Sequence, residues 1–322
     1  MMGRAWALAV IAVVMVLGLA PAAWPAPRAG LPFGLMIADS DNTSLGLRLA
    51  RDLAHEEGLR IIPLLGSGSV DALRDLATVP GADAAIVSSD CLAYARAHGL
   101  VRDAAGYAVL ARVKPLDLIL VARRDIADLA ALSGKRIATG PAGSAAYASG
   151  EVVFAAAGVA FERVPLAGPD ALRALAEGRA EAALVLGRDS DFSVLNSADK
   201  GGGGFHMLAL PYGDALANTH APAMVTAQQL PGLVAEGADV ETVAAGLIVA
   251  VREPPRGSAA FDKLTRLARA LYASPDLTAG GNNPAAQVPG WKASAAAAAA
   301  LSGKQSFLSP VTAFTQAQGE AP

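Results

Sequence analysis

Three stretches of this chain put small polar residues where a helix would begin: Asp39-Ser-Asp-Asn-Thr-Ser44, Gly66-Ser-Gly-Ser69 and Gly140-Pro-Ala-Gly-Ser144. The first backbone amides of a helix have no partner of their own, and the helix dipole adds about half a positive charge there. Such loops therefore suit a carboxylate or another small anion. Asn42, Thr43, Gly68, Ser69, Gly143 and Ser144 are the candidate binding residues of the three loops, with Tyr147 just beyond the third. Two apolar runs, Ala84-Ala-Ile-Val87 and Ala182-Ala-Leu-Val-Leu186, end in Ser88-Ser-Asp90 and Gly187-Arg-Asp189. Arg188 could grip a carboxylate with two parallel hydrogen bonds, while Ser89 and Asp90 could hold a hydroxyl or an ammonium.

Motifs of covalent or cofactor chemistry fail in this chain. Gly66-Ser-Gly68 opens like a dinucleotide fingerprint, but Asp71 stands at the third glycine and would repel a pyrophosphate. Gly134-Lys135 lacks the upstream glycine and the following hydroxyl residue of a phosphate-binding loop. Asp39-Ser-Asp-Asn42 begins like a calcium loop, yet Ser44 replaces its glycine and Ala50 its closing glutamate. The four histidines, His55, His98, His206 and His220, lack metal-ligand spacing, and no nucleophile elbow occurs. Asp189 and Asp191 read as an acidic loop before they read as an acid-base pair. The reading is a binding protein with no catalytic residues, no metal and no cofactor.

The elements that must position the polar loops come as a repeat. Asp71-Ala-Leu-Arg-Asp-Leu-Ala77 and Asp170-Ala-Leu-Arg-Ala-Leu-Ala176 are nearly the same heptapeptide, and each leads through a turn at Gly81 or Gly178 into one of the two apolar runs. Each copy reads as a helix, a turn and a buried parallel strand, preceded by a glycine-rich loop. Open α/β sheets hold ligands at the carboxyl ends of such strands. Upstream, 32–38 reads as a strand, 45–57 as a helix with Leu45, Leu49 and Leu53 on its inner stripe, and 59–65 as a second strand. Leu116 to Ala122 is a longer strand, placed to pass from one copy to the other, and 134–139 is a strand feeding the Gly140 loop. Val240 to Val251 is a buried element returning to the first copy, followed by an amphipathic helix through Phe261, Leu264, Leu267 and Leu271. The run 201–204 of four glycines reads as a surface loop, and Ala295 to Ala300 as a short surface helix.

Composition bounds the setting. Hydrophobic residues make up 53% of the 322 and aromatics 5%, so the core rests on Ala, Leu and Val. A net charge of -3 without a basic run gives no case for nucleic acid. The only cysteine, Cys91, excludes an internal disulfide and reads as a core residue. Arg4, the apolar run from Ala5 to Leu19 and the small residues Ala20-Pro-Ala22 have the order of a cleaved signal peptide, which places the rest of the chain in the periplasm.

Several ordered segments resemble the TAXI-type solute-binding proteins of tripartite ATP-independent periplasmic (TRAP) transporters. They are Gly68-Ser-Val70, Asp83-Ala-Ala-Ile-Val87, Gly134-Lys-Arg-Ile137 with Gly140-Pro-Ala-Gly-Ser144, Pro222-Ala-Met-Val-Thr226, Leu230-Pro-Gly-Leu-Val234, Val240-Glu-Thr-Val-Ala244 and Pro289-Gly-Trp291. The resemblance spans most of the mature chain. It implies an α/β protein of the type II periplasmic binding fold, two lobes joined by crossing hinge strands that close on a small carboxylate or amino acid. It also implies a membrane permease as partner. The first loop departs from the family's usual Gly-Gly-Thr-Tyr, since this chain has Ser40-Asp-Asn-Thr-Ser44. The expected layout is a signal peptide over 1–22, lobe I over 31–115, lobe II over 116–221, a return to lobe I with carboxyl-terminal helices over 222–314 and a tail over 315–322, in a monomer. An ABC-importer receptor of the same fold, or a secreted sensory subunit of a membrane kinase, would share this pattern and differ only in partner.

Overall fold

The structure is a computed structural model that describes residues 31–37, 43–53, 58–188, 190–198, 204–274 and 288–302. The expected signal peptide, the four-glycine run up to Gly203 and the tail lie outside the described residues. A first parallel unit is built from β1 (Leu31–Ile37), α1 (Thr43–Leu53), β2 (Leu59–Leu65), α2 (Ser69–Thr78) and β3 (Ala82–Ser88), with β1 between β2 and β3. A second unit repeats it with β5 (Arg136–Ala138), α4 (Ala145–Ala156), β6 (Glu162–Val164), α5 (Gly168–Ala176) and β7 (Ala182–Leu186), where β5 lies between β6 and β7. The near-identical heptapeptides fall on α2 and α5, and the turn glycines Gly81 and Gly178 both take positive φ, 86° and 73°. Each heptapeptide turns its apolar side inward, with Ala72, Leu73 and Leu76 buried in one copy and Ala171, Leu172 and Leu175 in the other.

Between the two units, α3 (Cys91–Ala97) follows β3, and β4 (Tyr107–Arg123) then runs for 17 residues. After β7 come α6 (Ser193–Ala198), β8 (Phe205–Leu208), β9 (Ala221–Thr226), the 14-residue β10 (Asp239–Arg252), α7 (Ala259–Ala273) and a last helix, α8, over 295–302. Residues 107–117 of β4 pair antiparallel with 244–252 of β10, and β10 in turn pairs with β3. Beyond that stretch β4 continues against β7 and β8, while the start of β10 pairs with β9. The order is therefore β2-β1-β3-β10-β4-β7-β5-β6, two α/β lobes each edged by a strand that also belongs to the other. Where the two long strands part, Thr242 Oγ1 donates to the Leu118 carbonyl at 2.5 Å.

The internal repeat, the returning strand and the helix through Phe261 match the sequence reading. The strand expected from Leu116 is the second half of β4, because Arg112, Lys114, Pro115 and Asp117 interrupt the apolar pattern of a strand that starts at Tyr107. That places the expected lobe boundary at 115/116 in the middle of a strand. The alanine helix over 295–302 is not a plain surface helix, since Ala296, Ala297 and Ala300 are buried. Cys91 is a fully buried core residue. No described helix is long and apolar enough to cross a membrane.

One close approach fixes how β1 sits in the first lobe. A methyl on Gly34 would lie 1.9 Å from the Gly81 carbonyl oxygen, while the Gly34 amide donates to Asp83 Oδ2 at 2.8 Å. Asp83 also receives Lys263 Nζ of α7 at 2.5 Å, so strand, turn and helix meet at one carboxylate. The Gly34→Ala variant is expected to lose about 1 to 3 kcal/mol or more of stability, because backbone must shift to admit the methyl. Urea unfolding of the two proteins measures the loss.

Candidate functional site

The carboxyl ends of β2, β3, β5 and β7 carry the polar loops found in the sequence, and those of the first lobe meet those of the second along one seam. Gly68 lies against Gly143, where a side chain on Gly68 would come 2.3 Å from the Gly143 carbonyl oxygen. The backbone of Gly68 is extended, so closeness rather than strain selects glycine there. The same Gly143 carbonyl accepts from Val70 N, in the first turn of α2, at 3.1 Å. Asp71 occupies the first turn of α2, takes the Ser67 hydroxyl at 2.6 Å and pairs with Arg74 at 2.9 Å. The start of α2 is thus tied by one amide to a carbonyl of the opposite lobe, and Asp71 adds a negative charge to its first turn.

Ser69 is buried, and its hydroxyl accepts from Ser88 N at 3.3 Å. Ser89 is tied in three ways: N to the Gly246 carbonyl at 2.8 Å, Oγ from Gly246 N at 2.8 Å, and O from Trp291 Nε1 at 2.6 Å. Ser144 caps its own helix through Tyr147 N at 3.1 Å. The Tyr147 ring lies under the Arg163 guanidinium, 3.9 Å away, and edge-on to Tyr94 at 5.7 Å. Burial, followed by the neighbouring Tyr147, pushes the Tyr94 hydroxyl up to about 12. Arg188 sets Nε 2.5 Å from Asp117 Oδ2 on β4, and its terminal nitrogen donates to the Met224 carbonyl at 3.3 Å. Thr43 begins α1, while Asn42 and Asp189 lie outside the described residues. The structure therefore brings Gly68, Ser69, Ser89, Asp90, Gly143 and Ser144 to one seam, and sets Tyr147 and Arg188 at its flanks.

Asp90 sits at the centre of that seam with 0% exposure. It receives the hydroxyl of Ser88 from its own lobe and that of Ser149, on α4 of the other lobe, at 2.5 Å. His220, also fully buried, places Nε2 3.1 Å from Asp90 Oδ2. The other ring nitrogen of His220 lies 2.8 Å from Thr219 Oγ1. Burial alone would raise the Asp90 pKa, but the imidazole and the two hydroxyls outweigh it and hold the carboxyl below the usual carboxylate range. Serine, histidine and aspartate resemble the members of a hydrolase triad in type only. There the imidazole stands between carboxylate and hydroxyl, whereas here the carboxylate is central, both hydroxyls donate to it, and none is activated as a nucleophile. Among the described residues no cluster of His, Cys, Asp and Glu could hold a metal ion.

Sequence reasoning passed over Ser149, His220 and Trp291. Ser149 lies inside an alanine-rich helix and Trp291 far along the chain, so no local spacing links either to Asp90. The one usable signal was the Ser88-Ser-Asp90 strand end, since a buried carboxylate needs partners.

No family model matches the chain, and no curated protein does. Solved structures to which it is similar include a TctC solute-binding protein from Polaromonas, 20% identical over 74% of this chain and 87% of the other, with a TM-score of 0.42. The GluR0 ligand-binding core from Nostoc punctiforme, in complex with L-glutamate, is 14% identical over 76% and 95%, with a TM-score of 0.45. A periplasmic substrate-binding protein of an ABC transporter from Coxiella burnetii is 17% identical over 76% and 93%, with a TM-score of 0.40. The strand order and the two exchanged strands place this chain in the type II periplasmic binding protein fold.

Removing Asp90 strips two hydroxyls and an imidazole of their common partner. The Asp90→Ala variant is expected to lose about 3 to 5 kcal/mol, read from urea unfolding. Because the Asp90 pKa is lowered in the folded state, its stabilisation is complete above about pH 4 and disappears as the pH falls through that lowered value. The difference in Tm between wild type and Asp90→Asn should accordingly be large at pH 6 and shrink below pH 3, as followed by circular dichroism.

Proposed function

We propose that the protein is an extracytoplasmic receptor that captures a small carboxylate-bearing molecule between its lobes and delivers it unchanged to a TRAP-type membrane permease. The observation that bears this reading is the seam itself. Polar loops from the strand ends of both lobes face one another there, and among the described residues the lobes are joined by only two long strands, β4 and β10. Two rigid lobes on a pair of strands form a hinged clamp, in which ligand is held by groups from both sides. Asp90 with Ser149, and Gly68 with Gly143, are the cross-lobe contacts that describe its shut position. In this reading the boundaries of the lobes fall within β4 and β10.

The choice of permease follows the sequence resemblance, whose segments sit at structural positions of consequence. Gly68-Ser-Val70 and Gly140-Pro-Ala-Gly-Ser144 form the two loops that touch, and Pro289-Gly-Trp291 leads to the indole that binds the Ser89 carbonyl. Export is proposed from Arg4 and the apolar run after it.

A binding screen tests the receptor reading. A ligand present at about a hundred times its Kd adds roughly 2.7 kcal/mol to the native state and raises Tm visibly. A carboxylate that does so and is recovered chemically unchanged is the expected result, while conversion of that compound on incubation would overturn it. The Gly68→Ala variant tests the clamp. Its methyl cannot share space with the Gly143 carbonyl, so the lobes should stand apart, with a larger radius of gyration by small-angle X-ray scattering and unchanged helix content.

A further inference from the structure

The two strands that join the lobes also frame a pocket of about 180 Å³, open to solvent where Pro115 and Ala221 are exposed. It is lined by Arg112 and Pro115 on β4, Ala244 and Gly246 on β10, Ala221 at the start of β9, and Val288. Every lining residue other than Arg112 is an alanine, glycine, proline or valine. Arg112 is thus the single charged group of an otherwise apolar chamber. Its Nε is shut off from solvent without a hydrogen-bond partner, and no carboxylate among the described residues pairs with its guanidinium. Other arginines here differ: Arg163 pairs with Glu151 and Arg252 with Asp103. A buried guanidinium nitrogen without a partner is costly to the fold, and a carboxylate supplies the two acceptors that fit its fork.

The chamber adjoins the seam. Gly246, one of its walls, exchanges two hydrogen bonds with Ser89, which directly precedes Asp90. We infer that Arg112 anchors the carboxylate of a small monocarboxylate whose apolar body fills the rest of the cavity. The inference rests on the receptor reading and names the class of its ligand. Size and lining both narrow the choice. An apolar cavity of about 150 Å³ accommodates benzene, so a body of roughly four to six carbons fits beside the guanidinium. A second carboxylate, or the ammonium of an amino acid, would find no polar side chain among the lining residues other than Arg112.

Isothermal titration of the purified protein, first unfolded and refolded to strip carried-over ligand, tests this with five probes: isovalerate, benzoate, isovaleramide, succinate and glutamate. Isovalerate or benzoate should bind the wild type, with isovaleramide at least tenfold weaker because it lacks the charge. Arg112→Ala should lower the affinity for the acid by about tenfold to a hundredfold, and Arg112→Lys by less. Should both variants fail to fold, the comparison of acid and amide on the wild type decides alone. Equal affinity for the acid and its amide overturns the assignment, as does tight binding of succinate or glutamate that Arg112→Ala leaves unchanged, and either result leaves the receptor reading standing. Failure of these probes and of the wider carboxylate screen alike removes the receptor reading, and the anchor with it.

Discussion

The antiparallel pairing of β4 with β10 is the constraint on which the rest of the molecule depends. Each strand finishes the sheet of the lobe it enters and then continues into the other lobe, so neither βαβ unit closes its sheet alone. An edge of unpaired amides and carbonyls would otherwise remain beside β3 and beside β7. By exchanging one strand each, the two units remove that edge and gain a mechanical joint in the same step. The pairing also decides where side chains of different origin meet. Arg112, Pro115 and Asp117 come from the middle of β4, and Ala244 to Gly246 from the middle of β10, so the joint has a chemistry of its own distinct from that of the strand-end loops.

Around that joint the interior is more polar than the composition suggests. A carboxylate buried without partners would cost several kcal/mol, and Asp90 is tolerated because hydroxyls from both lobes and an imidazole surround it. The groups around it come from Ser88, Ser149 and His220, far apart along the chain, which makes Asp90 a point of registration between elements that fold from different parts of the sequence. Trp291 plays a similar part at longer range, closing the last described segment onto the Ser89 carbonyl.

Much of the architecture was legible because each βαβ unit is local. Period and spacing reveal α2, β3, α5 and β7, since their apolar stripes and turn glycines lie within twenty residues of one another. The first half of β4 was hidden by Arg112, Lys114 and Pro115, residues that break an apolar run although the sheet accepts them. The strand-end serines and Asp90 could be named as a polar seam from their position after an apolar run. Their partners could not, because His220 stands in a stretch with no periodicity and meets Asp90 only through the return of the chain. Arg112 likewise gave no signal, because a lone arginine in a strand is indistinguishable from a surface residue until the walls around it are known.

The bond between Val70 N and the Gly143 carbonyl has a kinetic meaning. An amide already engaged by the opposite lobe is not open to another acceptor, so any group that would use it must wait until that bond breaks. The opening of that bond and the arrival of an acceptor are then separate events, and raising the concentration of the acceptor accelerates only the second. In a receptor working as proposed above, the rate of capture would therefore level off at the frequency with which its own backbone lets go.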